Sequence, residues 1–318
     1  MPGKRRVPQQ KHHPMEFGKL QDLSRVDFSL PPDPPDNALL LGRSAGATPL
    51  AFIGATGWSV PEWRGKVYPQ GARPDSFLHH YSRQFNTIEL NTTHYRIPDQ
   101  ETIEKWRDQT PADFRFCPKV LQRISHATQL GTDSPALIDH FCQSLSGLGE
   151  KLGPCFLQLP PYFDPGRLPV LEKFLQHFSL PLALEVRHEQ WFSDAGHRRQ
   201  LFGLLARYGV STVITDVAGR RDVCHMQLTT GQVLIRFVGN DLHPSDYTRL
   251  EDWAGRLKRW FGQGLQAAYF FAHEPDNLLA PDLAAHLHQL LRAQEVPAKF
   301  RGPSLAPDRE EGGQLSLF

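Results

Sequence analysis

The chain reads as an α/β protein of the (β/α)8 barrel type, and two observations carry that expectation. Eight short apolar, strand-like runs alternate with amphipathic helical stretches over roughly 250 residues, the size of one such barrel. Polar and charged residues gather at the carboxy-terminal ends of those runs, the rim where barrels of this kind place their chemistry. An open doubly wound sheet is the structural rival.

In order along the chain, residues 1–49 mix charge, glycine and proline ("SLPPDPPDN") without periodicity and are expected to form a disordered arm. Its first residues carry Lys4, Arg5, Arg6 and Lys11 and no acid, the pattern of a solvated basic tail or of a phosphate-seeking one. Residues 50–295 hold the barrel, with strands expected at "AFIGAT", "TIELN", "FRFCPKV", "CFLQL", "LALEVR", "STVITD", "VLIRFV" and "AAYFFAH". Helical crossovers are expected at "DSFLHHYSRQF", "ALIDHFCQSLSGLGEKL", "RLPVLEKFLQHF", "AGHRRQLFGLLARYG" and "YTRLEDWAGRLKRWF", whereas the stretch after "STVITD" is a weak helix. Residues 296–318 return to Pro, Gly and charge and read as a flexible linker.

The formal charge of +1 gives the whole molecule no polyanion-binding signal, so any affinity for nucleic acid must be local. Cys117, Cys142, Cys155 and Cys224 lack CxxC spacing and suit reduced core thiols, hence a cytoplasmic location. No apolar run approaches the roughly 20 residues that span a bilayer, and no membrane role is expected.

Side chains alternate across a strand, so the apolar register shows which polar residues face inward. Ile88 and Leu90 outward put Glu89 and Asn91 inside; Leu184 and Val186 outward put Glu185 and Arg187 inside; Val233, Ile235 and Phe237 outward put Arg236 inside. Lys119, Gln158, Asp216 and His273 end or nearly end their strands. We expect Glu89, Glu185, Arg187, Asp216 and Arg236 around one cavity. A satisfied interior ion-pair layer is the alternative.

The blocks "IGATGWSVPEWRGKVYP", "FNTIELNTTHYRIP", "KVLQRISHA", "KLGPCFLQLPPYF", "LALEVRHEQW" and "VLIRFVGND" resemble, in order and spacing, those of the YecE-like family, also called domain of unknown function 72. The resemblance covers about residues 51–290 and implies a (β/α)8 barrel, without supplying a reaction. By position it marks Gly57, Trp58, Trp63, Tyr68, Glu89, Asn91, Thr93, Tyr95, Arg96, Lys119, His126, Gln158, Glu185, Arg187, His188, Trp191, Asp216 and Arg236. Val60 and Val238 stand where that family usually has an aromatic and a histidine.

A lysine, two arginines and several aromatics around two carboxylates suit a substrate with anionic and flat parts, a nucleotide or sugar phosphate. Arg187 and Arg236 would clamp phosphate, and Trp58, Tyr68 and Tyr95 would stack or wall the site. Glu89 or Glu185 would act as general base and Lys119 or His188 as acid or charge stabiliser. Convergence of Glu89, Glu185, His188, Asp216 and His273 at one rim would also allow a divalent metal.

The segment Gln314, Leu315, Ser316, Leu317 and Phe318 resembles the pentapeptide by which bacterial DNA polymerases and repair proteins dock on the sliding clamp. That resemblance implies a clamp partner and a DNA or nucleotide substrate, with phosphodiester or glycosidic hydrolysis as the expected reaction. A small-molecule enzyme on a phosphorylated sugar, and a non-catalytic clamp-tethered nucleic-acid adaptor, are the alternatives.

Overall fold

In a computed structural model, which describes residues 18–42 and 48–305, eight parallel strands form a nearly closed barrel in the order β3-β2-β1-β8-β7-β6-β5-β4. They are β1 (Leu50–Ala55), β2 (Thr87–Leu90), β3 (Arg115–Pro118), β4 (Cys155–Gln158), β5 (Leu182–Glu185), β6 (Ser211–Asp216), β7 (Gln232–Val238) and β8 (Ala267–His273). All eight expected strands are present. The β3–β4 seam is closed by Val120 N donating to Phe156 O at 2.9 Å and Gly153 N donating to Phe116 O at 2.7 Å.

Alternation separates two cores. Ile88, Leu157, Leu184, Ile214, Ile235 and Phe270 point outward against the helices, while Phe52, Phe156, Val213, Leu234, Tyr269 and Phe271 fill the barrel. Phe52 and Tyr269 stack inside with ring centroids 4.5 Å apart, which plugs the amino-terminal half. A polar storey then sits above an apolar one, and the carboxy-terminal half is left to charged groups.

Two segments outside the repeating pattern complete the wall. A three-residue β9 (Lys299–Arg301) pairs with β1 at Leu50–Phe52, and the Asn86 side chain accepts from Ile53 N at 2.7 Å and donates to Ala51 O at 2.9 Å. Further up, β1 closes directly on β2 at Gly54. A Cβ there would lie 2.4 Å from the Thr87 carbonyl oxygen, so no larger residue fits without moving a strand. Residues 296–305, within the stretch read as a flexible linker, are thus laid against the barrel; Arg301 binds Asp113 at 2.8 Å and the carbonyl of Phe85 at 2.7 Å.

The weak helix after β6 is absent, and a 3₁₀ turn (Arg221–Val223) replaces it. Its place is taken by residues 18–42, the part of the expected disordered arm that the structure describes. These residues do not behave as an arm: Gly219 N donates to Gly18 O at 2.7 Å, Arg256 binds Asp33 at 2.6 Å, and a helix (Pro35–Leu41) buries Leu41. Asn37 donates to Met226 O at 2.8 Å and accepts from Leu228 N at 2.9 Å, satisfying backbone that a crossover helix would otherwise have covered. Changing Asn37 to Ala should lower stability by about 1–3 kcal/mol in urea titrations, because two buried backbone groups lose their partners. An unaltered midpoint would mean that this segment is not part of the cooperative unit.

Among the described residues no helix is long and apolar enough to cross a membrane. Cys117, Cys142, Cys155 and Cys224 are all buried free thiols.

Candidate active site at the barrel mouth

On six strands the inward position two residues beyond the apolar plug carries a polar group; on β1 that position is Gly54. Cys117 is followed by Lys119, Phe156 by Gln158, Ala183 by Glu185, Val213 by Thr215, Leu234 by Arg236 and Phe271 by His273. The strand repeat of two keeps each of these groups on the inward face, just above the apolar plug.

Arg236 is the hub. Its Nε donates to Glu89 Oε2 at 2.9 Å and its two terminal nitrogens to Glu89 Oε1 and Glu185 Oε2, both at 3.3 Å. Glu89 also accepts from Asn91 at 3.2 Å and from His273 Nε2 at 3.1 Å. Glu185 accepts from Arg187 Nε at 3.1 Å, Thr215 Oγ1 at 3.2 Å and Gln158 Nε2 at 2.8 Å. Each carboxylate thus takes four hydrogen bonds. Burial alone would raise both pKa values, but Arg236 and His273 hold Glu89 well below its ordinary value, and Arg187 and Arg236 hold Glu185 at about 2. Such groups are poor proton acceptors near neutrality, which weakens the expectation that either serves as general base and makes them scaffolding for the cations.

Lys119 differs from its neighbours. Its Nζ donates to Gln158 Oε1 at 3.0 Å and lies 5.6 Å from the Phe156 ring centre, with no carboxylate within 4 Å among the described residues. Burial, reinforced by Arg236, pulls its pKa down to about 8. Three cations, Lys119, Arg187 and Arg236, therefore face two fully bonded carboxylates, and the storey carries an excess of positive charge toward the mouth.

Three rings border the β2–β4 side of this mouth. Tyr95 is 76% and Tyr162 55% exposed, unusual for aromatics, and the Tyr162 hydroxyl donates to the His126 carbonyl at 3.1 Å. His126 is half-buried, its Nδ1 2.9 Å from Ser125 Oγ, and burial with Lys119 and Arg187 keeps its pKa below the ordinary value.

Several expected site residues belong elsewhere. Asp216 is on the outer face with Ile214, fully buried against the helix Pro244–Gln263. Arg249 binds it at 3.0 Å and Trp253 Nε1 at 2.8 Å, and Arg221 pairs with it as well. Alternation required this, because Thr215 has the inward position; Asp216 ends its strand, but on the wrong side. Tyr68 is 2% exposed, stacks on Phe77 at 4.3 Å and donates its hydroxyl to the Trp58 carbonyl, so it packs and does not wall a pocket. Trp58 is half-buried edge-on to Trp106 at 5.7 Å. Arg96 is solvent-exposed beside Asp99 at 3.5 Å, and the His188 Nδ1 accepts from Gln190 N at 3.3 Å in the loop after β5. The five-residue metal convergence is therefore not formed, and among the described residues no cluster of three or more His, Cys, Asp or Glu has metal-binding geometry. Residues 314–318 lie outside the described residues.

Thr215 and Tyr162 were missed in the sequence. Thr215 was available from alternation, since Val213 and Thr215 share a face. Tyr162 sits in a loop, where no periodicity reports direction. Glu274, just past β8, was also missed: it is 5% exposed, and burial pushes it up to about 7 although Asp241 N donates to it at 2.9 Å.

A family model described as "Protein of unknown function DUF72" matches residues 52–308. UPF0759 protein YecE of Escherichia coli K12 is 34% identical over 265 residues, covering 76% of this chain and 93% of its own length. UPF0759 protein YunF of Bacillus subtilis 168 is 29% identical over 298 residues, covering 85% of this chain and all of its own. A DUF72 family crystal structure from Enterococcus faecalis V583 superposes with a TM-score of 0.64 at 21% identity, covering 81% of this chain and 100% of that one. One from Thermotoga maritima MSB8 gives 0.59 at 23% identity, covering 77% and 99%.

Proposed function

Because this chain belongs to the DUF72 family of unknown function, we propose its activity from the barrel mouth itself: an enzyme that binds a nucleotide unit by its phosphate and cleaves a phosphodiester or glycosidic bond. The observation that carries this reading is the cation excess, with Lys119 unpaired by any carboxylate among the described residues and two arginines held rigidly by Glu89 and Glu185. A phosphate oxyanion placed there meets donors already oriented and partly desolvated, which favours both binding and developing negative charge. The exposed rings of Tyr95 and Tyr162 supply flat faces for a base, at about 1–3 kcal/mol per stacked base.

Lys119 is the proton donor or acceptor in this scheme, since its pKa of about 8 lies nearer neutrality than those of the carboxylates. Arg187 and Arg236 bind and orient. The depth of the layer, with Arg236 8% exposed, also favours a second reading, a free phosphorylated sugar small enough to descend to it. Recruitment to a bacterial sliding clamp through Gln314–Phe318 would bring the barrel to DNA that is being replicated or repaired.

Screening the full chain on damaged and structured DNA and on phosphorylated sugars, with and without divalent metal, tests the proposal. Lys119→Met should cut turnover about 10²- to 10⁴-fold while retaining cooperative unfolding. Wild-type turnover in that variant would remove Lys119 from the chemistry.

A further inference from the structure

We propose that Lys119 is a covalent nucleophile, forming an imine with the aldehyde of a phosphorylated sugar, either an abasic nucleotide in DNA or the free sugar phosphate. The inference rests on the reading of the mouth as a phosphate site and specifies what reacts there.

Geometry separates Lys119 from a lysine that merely neutralises an anion. Its ammonium group has a neutral amide oxygen, Gln158 Oε1 at 3.0 Å, as its hydrogen-bond acceptor, and no carboxylate lies within 4 Å among the described residues. Gln158 is itself fixed by its bond to Glu185 at 2.8 Å, so the amine is aimed. The guanidinium of Arg236, 4.9 Å from the centre of the Phe156 ring over which Lys119 Nζ also lies at 5.6 Å, disfavours a second positive charge on the same ring face. A desolvated lysine beside other cations is the environment that activates an amine nucleophile. The same burial that lowers its pKa to about 8 leaves a useful fraction of free amine at neutral pH.

The step balances without an external oxidant or reductant. The Nζ lone pair attacks the aldehyde carbon to give a carbinolamine, and loss of water leaves a protonated imine. With an abasic nucleotide the imine acidifies the neighbouring carbon; a base takes that proton, and the carbon–oxygen bond one position further, which carries the 3′-phosphate, breaks with its electron pair leaving on the phosphate, whereas the free 5-phosphate sugar has only a hydroxyl at that carbon and goes no further than the imine. Water then hydrolyses the imine and frees the amine. His126, half-buried in the loop after β3 and held below its ordinary pKa by burial and by the Lys119 and Arg187 charges, is the imidazole assigned to accept the proton. Arg187 and Arg236 receive the departing phosphate.

Reductive trapping tests this directly. The full chain is incubated with sodium cyanoborohydride and either an oligonucleotide bearing one abasic site or 2-deoxyribose 5-phosphate, and the adduct is located by peptide mass spectrometry. The expected result is a stable secondary amine on Lys119 from at least one of the two probes, which also identifies the source, with loss of that adduct in Lys119→Met. Mapping on the unaltered protein keeps the test valid even if the variant fails to fold. Adducts scattered over surface lysines, or none on Lys119, overturn the proposal. Binding of an oligonucleotide with a tetrahydrofuran abasic analogue, and of inorganic phosphate, neither of which has an aldehyde, separates the two levels: binding of either without trapping rejects the imine alone, whereas absence of trapping and of both bindings rejects the phosphate-site reading too.

Discussion

Replacing Arg236 by Met is expected to destabilise the protein by about 3–5 kcal/mol at neutral pH, the largest effect of any single change at the mouth. Arg236 supplies two of the four bonds to Glu89 and one of the four to Glu185, and both carboxylates are at most 2% exposed. Met fills much of the same volume but leaves buried negative charge with fewer partners. The pH dependence identifies the cause. In the unaltered protein Glu185 has a folded pKa of about 2 against an ordinary 4.5. Its contribution is therefore complete above pH 4.5 and is lost as the pH falls toward 2. In Arg236→Met the two carboxylates should rise in pKa above their ordinary values, so acid relieves the variant in a pH range where the parent is still little affected. The stability gap measured in urea should then shrink as the pH is lowered from 7 to 4. A constant gap would point to lost packing and not to stranded charge.

Changing Leu317 and Phe318 together to Ala is expected to abolish most binding to a purified bacterial sliding clamp. Anchor side chains of short docking peptides typically contribute about 2 kcal/mol or more each, so a double loss amounts to roughly a thousandfold in affinity. The barrel should keep its unfolding midpoint and its turnover on free substrate, because β9, the last strand of the wall, precedes the motif at 314–318 in the chain. Equal clamp affinity of the two proteins in a titration would end the recruitment proposal, and a DNA role would then rest on the barrel mouth alone.

The two experiments address different layers of information. The clamp-like segment is linear, so its resemblance is readable letter by letter and needs no fold. The storey of charges is only half linear. Period-two alternation alone placed Glu89, Asn91, Glu185, Arg187 and Arg236 inside the barrel, and the eight strands followed from apolar runs whose spacing suits parallel crossovers. Alternation applied once more would have exchanged Asp216 for Thr215, because Val213 lies in the barrel and Ile214 outside it.

Tertiary structure alone decided the rest. That both carboxylates are saturated, and that Lys119 is the cation without one, depends on distances between strands far apart in the chain: Arg236 reaches Glu89 across 147 positions. That residues 18–42 form wall and not arm depends on a crossover that lacks a helix. The vacancy opens unsatisfied backbone at Met226 and Leu228, and a proline-rich segment with little periodicity of its own gains order by filling it. Local pattern determines which face of an element a residue occupies; which partner meets it there is set by closure of the barrel, since the energy of a buried charge belongs to the group of residues around it and not to its own position in the sequence.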